Sequence, residues 1–537
     1  MGKVIGIDLG TTFSAAAYID EDGKPQMIPN YEGDMLTPSA VLFDGDTRTV
    51  GKEAKRESVT DAEHFVGFVK REMGNQSKKY TIDGLSFKPE EISATILKKI
   101  RNDAELALDD QVTGAVITVP AYFTDAQRSA TMAAASIANI PVLAIINEPT
   151  AAALSYGIGK GDEKKKNILV YDLGGGTFDI SVMKFEGDKI ETLSSMGNRA
   201  LGGYDFDLKV VNWFEDMASA NGFSFKGDPD AEQDLLMRAE EAKKALSTGR
   251  PKSKITIVSK GIKFSCELTK EIFERLIESE IYTTISLMNA AMQEAGLEYS
   301  NLDKILLVGG STRIPLVAQM IEEETEIVPS HDIHPDQAVA IGAAWHALAE
   351  ARKQSSKKER TGSATGYSEG TYEKSPAGRN DTVPKVDPQD LPNIPVSYTF
   401  TDRTSHGIGV VIENDLGEEI NSVILPKNSV IPAEAQQDYV TTVDYQECIL
   451  LKVTEGEYSE LKVTTIIGEA ELRIRPKPKG TPVRVTIGCD SNSIIHVHVM
   501  DMQDQEDLGE MRIERTSNMN EQEIEAAKNR LGKLYIG

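Results

Sequence analysis

The sequence predicts an α/β architecture in two related halves, followed by a small antiparallel β-sandwich. Three observations predict it. An apolar strand ending in Asp-Leu-Gly occurs twice, at Asp8-Leu9-Gly10 and Asp172-Leu173-Gly174, 164 positions apart. Strand and helix patterns alternate from residue 1 to about 351. From about 396 to 516, short alternating runs separated by Gly, Pro and Asn turns replace them. A chain of 537 residues has room for two to four domains.

The first element is a hairpin over Ile5–Ser14, with Gly10, Thr11 and Thr12 in its bend and Phe13 leaving it. Pro89–Leu108 reads as a helix: Pro and two carboxylates fill its first turn, and Ile92, Ile96, Ile100 and Ala104 recur at helical spacing. Strands are expected at 4–8, 115–119, 168–172 and 304–308, and Thr124-Asp125-Ala126-Gln127 is a capping box opening a helix of small residues. A second hairpin follows at Leu169–Val182, with Gly174, Gly175, Gly176 and Thr177 at its bend. Consecutive glycines permit positive φ and close backbone approach, and successive N–H groups in such a turn make a concavity suited to phosphate. Asp172 enters this bend and Asp179 leaves it. Carboxylates beside an anion site repel the anion unless cations lie between them, so the pair of hairpins reads as a metal–phosphate site. Neither a Walker loop nor a dinucleotide fingerprint occurs.

A helix around Ala231–Ser247 places Glu240, Lys243, Lys244 and Ser247 on one polar stripe. A third glycine bend, Gly309-Gly310-Ser311-Thr312-Arg313, follows a strand and is free to approach a base or ribose; Arg313 could stack on a planar base. Lys70 and Arg71 are candidates for offsetting phosphate charge, and Glu148 for orienting a water. Residues 352 to about 395 are polar and rich in Ser, Gly, Lys and Pro, and read as a flexible linker. His496 and His498 share a strand face without a third ligand in view, and read as an exposed sheet face. The stretch Asn520–Leu534 reads as one helix of about 15 residues.

Net charge is −26, which argues against nucleic acid or anionic membrane as a partner. The three cysteines are far apart, and no apolar run is long enough to span a bilayer. The first strand begins almost at Met1, leaving no room for a signal peptide. A cytoplasmic protein is the expectation.

On these residues the chain resembles the seventy-kilodalton heat-shock chaperones, the DnaK type. The matching stretches include Gly6–Thr12, Pro89–Ile92, Val116–Phe123, Ile145–Tyr156, Tyr171–Asp179, Leu201–Gly203, Val308–Pro315 and Pro335–Ala344. The resemblance implies an actin-like, ribonuclease H-like ATPase domain over 1–351: two lobes around a cleft for ATP or ADP, Mg²⁺ and K⁺. Thr11, Thr12, Gly174, Gly175, Gly176 and Thr177 would cradle the phosphates, with Gly10, Phe13, Gly202, Gly203 and Gly309 also in the nucleotide site. Asp8, Asp172 and Asp179 would sit at the cations, Lys70 at the γ-phosphate and Glu148 at the attacking water. Lys70, Glu148, Asp179, Asp8 and Thr177 are thus the catalytic set. Glu240, Lys243, Lys244, Ser247, Gly310, Ser311, Arg313 and Asp336 would surround the adenosine. Pro120 and Arg128 match a relay to the second domain.

The resemblance extends less closely through Ser405–Ile408, Gln436–Glu457, Pro478–Pro482 and Ile494–Asp501 to a peptide-binding β-domain over 396–516. Ile408, Val411, Tyr439, Thr442 and Ile449 would line its cleft for extended hydrophobic peptides. Residues 517–537 would begin a helical lid. A J-domain co-chaperone and a nucleotide exchange factor are the implied helpers. Three departures stand out. The short acidic, leucine-rich linker of the family is replaced by the polar stretch ending in Val396–Phe400, the lid beyond its first helix is missing, and Ala144 replaces an arginine that engages the J-domain. These put interdomain coupling and J-domain stimulation in question and imply fast peptide exchange. Tyr204 also stands where an acid is usual after Leu-Gly-Gly. Two other functions remain open at this point: a sensor ATPase whose β-domain holds one dedicated partner, and a sugar kinase or actin-like filament protein.

Overall fold

A computed structural model describes residues 2–157, 165–330, 332–362, 391–392, 398–414, 416–490, 495–513 and 519–537. Two sheets of the same local topology form its first part. In one, Gly2–Leu9 runs antiparallel to Phe13–Ile19 and parallel to Gln111–Val119, which pairs in parallel with Val142–Asn147. In the other, Lys166–Leu173 runs antiparallel to Phe178–Glu186 and parallel to Lys304–Val308. Each Asp-Leu-Gly strand thus lies between a hairpin partner and a parallel neighbour, as expected of a duplicated unit. The strands on both sides are nearly continuous runs of Ile, Val, Leu and Ala because helices cover them. Ile5, Ile7, Val116, Ile117, Leu169, Val170, Ile305 and Leu306 are all buried.

Small residues bring the helices close to these sheets. A Cβ on Gly6 would lie 2.1 Å from the Ala344 nitrogen, and one on Gly342 would lie 1.7 Å from the Ala151 oxygen. The helix Ala338–Gly362 therefore packs at backbone distance against both the first strand and the helix Glu148–Gly157. The helix Pro89–Leu108 forms with the bounds read from its periodicity. Thr124 caps the helix Asp125–Ile137 by accepting from the Gln127 N–H, with Gln127 closing the box.

The second part is a sandwich of two four-stranded antiparallel sheets. Val410, Leu451 and Val453 from one sheet meet Val485, Ile487, Val497 and Val499 from the other. His496 and His498 lie on its outer side among Asp490, Glu510 and Asp507. No helix among the described residues is long and apolar enough to cross a membrane.

Three segments differ from the sequence expectation. The helix Ala338–Gly362 continues into the stretch read as linker, so that 352–362 is helical; most of the remaining linker, with Val396 and Ser397, lies outside the described residues. Thr399–Arg403, expected in the sandwich domain, adds in parallel to the edge strand Lys189–Asn198 of the second lobe. It then pairs with Val430–Ile431 of the sandwich. The C-terminal helix is Glu521–Gly532, shorter than expected, and Tyr535–Ile536 continues as a strand parallel to Thr47–Val50. This helix packs on the first lobe: Lys88 pairs with Glu523 at 3.0 Å, Arg530 with Glu91, and the Lys98 ammonium donates to the Leu531 carbonyl at 2.7 Å.

Candidate active site between the lobes

The two hairpins face each other across a cavity of about 960 Å³. None of Gly10, Gly174, Gly175 or Gly176 adopts a positive φ, contrary to one reason for expecting glycine there. Close approach is what requires them. A Cβ on Gly175 would lie 1.9 Å from the Thr12 hydroxyl, and one on Gly176 would lie 2.6 Å from the Thr11 methyl. Any side chain would push the bends apart. Gly202 is equally constrained, its added Cβ falling 2.6 Å from the Gly176 nitrogen. The Gly203 and Tyr204 N–H groups donate to the Gly174 and Gly175 carbonyls at 3.0 and 2.7 Å, so the next helix is fastened to the bend. Thr177 reverses the hairpin, its carbonyl accepting from the Gly174 N–H at 3.1 Å.

Three buried carboxylates, Glu148, Asp172 and Asp179, and the half-buried Asp8 converge on the Lys70 ammonium. Lys70 donates to Glu148 at 2.5 Å. Asp172 and Asp179 are direct cross-strand partners, so the hairpin register itself sets one carboxylate against the other. Burial, reinforced by Glu148, pushes Asp8 and Asp179 up to about 7 and Asp172 well above the usual carboxylate range. Thr118 donates to Asp8 at 3.2 Å and the Tyr122 N–H to Asp179 at 3.0 Å. One ammonium against four carboxylates leaves a local excess of negative charge, which fits a hard cation with oxygen ligands. Among the described residues no three such groups cage an ion on their own. A cation here would complete its shell with water or phosphate oxygens, as Mg²⁺ characteristically does.

At the other end of the cavity the helix Pro229–Ser247 presents the predicted stripe. Glu240 accepts from Lys244 at 2.7 Å and from Lys55 of the first lobe. Burial alone would raise Glu240, but the two ammoniums override it and hold the carboxyl at about 2. Lys243 donates to the Gly203 carbonyl at 2.8 Å and to Asp207 at 2.7 Å. Ser247 closes the stripe and bonds back to the Lys243 carbonyl. Gly309, with φ 82°, comes so close to the Leu173 carbonyl that an added Cβ would lie 2.4 Å from its oxygen, while Gly310, Ser311 and Arg313 edge the cavity. Arg313 pairs with Asp336 at 2.5 Å. The Phe13 ring lies under Lys55 and Lys244, 5.6 and 5.1 Å from their ammoniums. Lys55 escaped sequence reasoning because its partner is 185 residues away, and no local spacing marks it.

The relay residues lie where the two parts of the molecule meet. Buried Arg128 donates to the Ala121 carbonyl at 3.0 Å and to Asn147 at 2.8 Å, and Asn147 donates to Asp402 of the added strand at 2.8 Å. Pro120 ends the strand that carries Thr118 and turns the chain toward this contact. Asn147 and Asp402 were not singled out in the sequence; adjacency of Asn147 to Glu148 was the one available signal. Ala144 lies half-buried in the strand Val142–Asn147. Of the five residues expected around a peptide cleft, Ile408 is buried in the sandwich core and borders a small cavity against the first lobe, on the face opposite Val411. Val411, Tyr439 and Ile449 are half-buried and Thr442 is exposed. The Tyr439 hydroxyl bonds Ser422 at 2.9 Å.

The family model described as "Hsp70 protein" matches residues 4–357 and 399–533. The chain belongs to the Hsp70 family. The gap between the matched segments coincides with the polar stretch. Proteins named "Chaperone protein DnaK" from Thermotoga petrophila and Thermotoga maritima are each 36% identical over 509 residues, covering 93% of this chain and 78% of theirs. The homologue of the same name from Thermotoga neapolitana matches to the same extent. This Hsp70 is accordingly an ATP-dependent chaperone and an ATPase, with an actin-like two-lobed domain and an appended β-sandwich.

Proposed function

We propose that this Hsp70 hydrolyses ATP in the inter-lobe cleft and uses the nucleotide state to control how its sandwich holds exposed hydrophobic segments of other proteins. The observation that carries the reading is the convergence of four carboxylates, three of them buried, and Lys70 on the seam of the twin glycine hairpins. Thr11, Thr12 and Thr177, with the N–H groups of Gly175 and Gly176, bind the phosphates. Asp8, Asp172 and Asp179 would hold Mg²⁺ and K⁺, directly or through water, and the ions would neutralise charge on the phosphate oxygens. Lys70 adds an ammonium beside the terminal phosphate, and Glu148, held by Lys70, orients the attacking water. Glu240, Lys243, Lys244, Ser247, Arg313 and Asp336 position the adenosine.

The coupling runs through Arg128, Asn147 and Asp402 into the strand Thr399–Arg403, whose position supports communication despite the altered linker. Unfolded peptides are the proposed clients, with Val411, Tyr439, Thr442 and Ile449 as contacts, and a J-domain protein and an exchange factor as helpers. The domain limits are taken as 1–351, 352–395, 396–516 and 517–537, the last as the start of a lid. A reducing, cytoplasmic setting suits the three free cysteines. Titration with a fluorescent ATP analogue in Mg²⁺ tests the site. Binding is expected, and weakening on Asp179→Asn with loss of turnover supports the assignment; an Asp179→Asn protein that turns over like wild type overturns it.

A further inference from the structure

We infer that Phe68 and Tyr204 form an aromatic latch across the cleft, which positions Lys70 and slows nucleotide release. The inference rests on the reading of the cleft as the ATP site and adds two positioning residues to it. Phe68 immediately precedes the single-turn helix Val69–Glu72 that carries Lys70 and Arg71. Its backbone is left-handed, with φ 57° and ψ 21°, a conformation disfavoured for any residue with a large side chain. Such a conformation persists only when its surroundings enforce it.

The enforcement comes from the other lobe. The Phe68 ring meets the Tyr204 ring with centroids 4.1 Å apart and planes at 36°. The Arg71 guanidinium lies 5.2 Å from the Tyr204 centroid and donates to Asp205 at 3.0 Å. Tyr204 in turn is tied by its N–H to the Gly175 carbonyl of the phosphate bend. One end of the latch is therefore continuous with Lys70, and the other is fastened to the hairpin that faces the phosphates. Neither ring joins the hydrophobic core of its own lobe, and both are only half-buried. Their packing serves the junction of the lobes more than the interior of either. Separating the lobes must part the rings, after which the turn can relax to ordinary backbone and carry Lys70 away from Glu148. Closure, Lys70 placement and nucleotide retention are thereby one event.

Two rates test this on the full chain: release of a fluorescent ADP, and single-turnover hydrolysis of prebound ATP. Phe68→Ala and Tyr204→Ala should each speed release by about 2- to 10-fold, the range set by one aromatic pair, and slow single turnover comparably. Tyr204→Phe, which keeps the ring, should restore both rates. The Phe68→Ala/Tyr204→Ala double variant should be no worse than the more affected single variant. Tyr204→Leu preserves apolar bulk without a π face and should behave as Tyr204→Ala, which separates the latch from simple packing if the alanine variant folds poorly. Wild-type release and turnover in Phe68→Ala and Tyr204→Leu would overturn the latch, as would additive effects in the double variant. A wild-type protein that fails to bind ATP would overturn the reading of the cleft and the latch with it. Binding by wild type with unchanged variants would overturn the latch alone.

Discussion

Lys70 is the ammonium to which Asp8, Asp172, Asp179 and Glu148 all respond. Its removal leaves those carboxylates facing one another in a buried space, where repulsion is weakly screened. We expect Lys70→Ala to lower kcat by at least about 100-fold, the scale of losing one preorganised charge at a transition state. Nucleotide binding should fall much less, since the hairpin N–H groups and the adenosine contacts remain. Steady-state turnover set beside equilibrium titration separates the two effects. At this scale the sequence was informative where chemistry is local. The Asp-Leu-Gly repeat marks two hairpins because strand, bend and carboxylate are neighbours in the chain. It was silent on Lys55 and Phe68, whose partners Glu240 and Tyr204 come from the opposite lobe and leave no trace in local spacing.

Elements are held together here by small residues and by a few buried polar links. Gly342→Ala places a methyl 1.7 Å from the Ala151 oxygen, between two helices that cannot separate without disturbing Glu148. We expect a loss of about 3 kcal/mol in urea unfolding, the upper range for overpacking a close contact. The strand Thr399–Arg403 has a different vulnerability. Tyr398, just before it, bonds through its hydroxyl to His346 at 2.5 Å, and burial pushes this imidazole down to about 4. A histidine with a depressed folded pKa is neutral in the docked arrangement and takes up a proton when released. Docking stability is therefore full above about pH 6.5 and is lost as pH falls toward 4. Amide exchange over 399–403 should accelerate across that window in wild type and much less in His346→Phe. Helices Pro89–Leu108 and Asp125–Ile137 were legible because capping and periodicity act within one element. The docking of Thr399–Arg403 was not, because an edge strand is chosen by the sheet that receives it.

On the scale of the whole molecule, the sandwich is joined to the lobes by the added strand, by Arg403 and by the C-terminal helix. Arg403 donates to the Thr192 carbonyl at 2.6 Å, to the Asn428 carbonyl at 2.9 Å and to Glu191 at 3.1 Å, spanning both parts. Arg403→Ala should weaken communication without touching the phosphates. Basal turnover is expected to persist while its response to peptide shrinks several-fold; an undiminished response would place the coupling elsewhere. The two-lobed fold was legible from the repeat and from alternation of strands and helices. Its continuity with the sandwich was not, since the polar stretch before Thr399 carries no pattern that announces a docked strand.

The most direct measurement is ATP turnover by the full chain in Mg²⁺ and K⁺, with and without a hydrophobic heptapeptide. We predict slow hydrolysis in its absence and a several-fold rise in its presence. Turnover that is absent, or identical with and without peptide, would contradict a cleft that hydrolyses ATP under the influence of the β-sandwich.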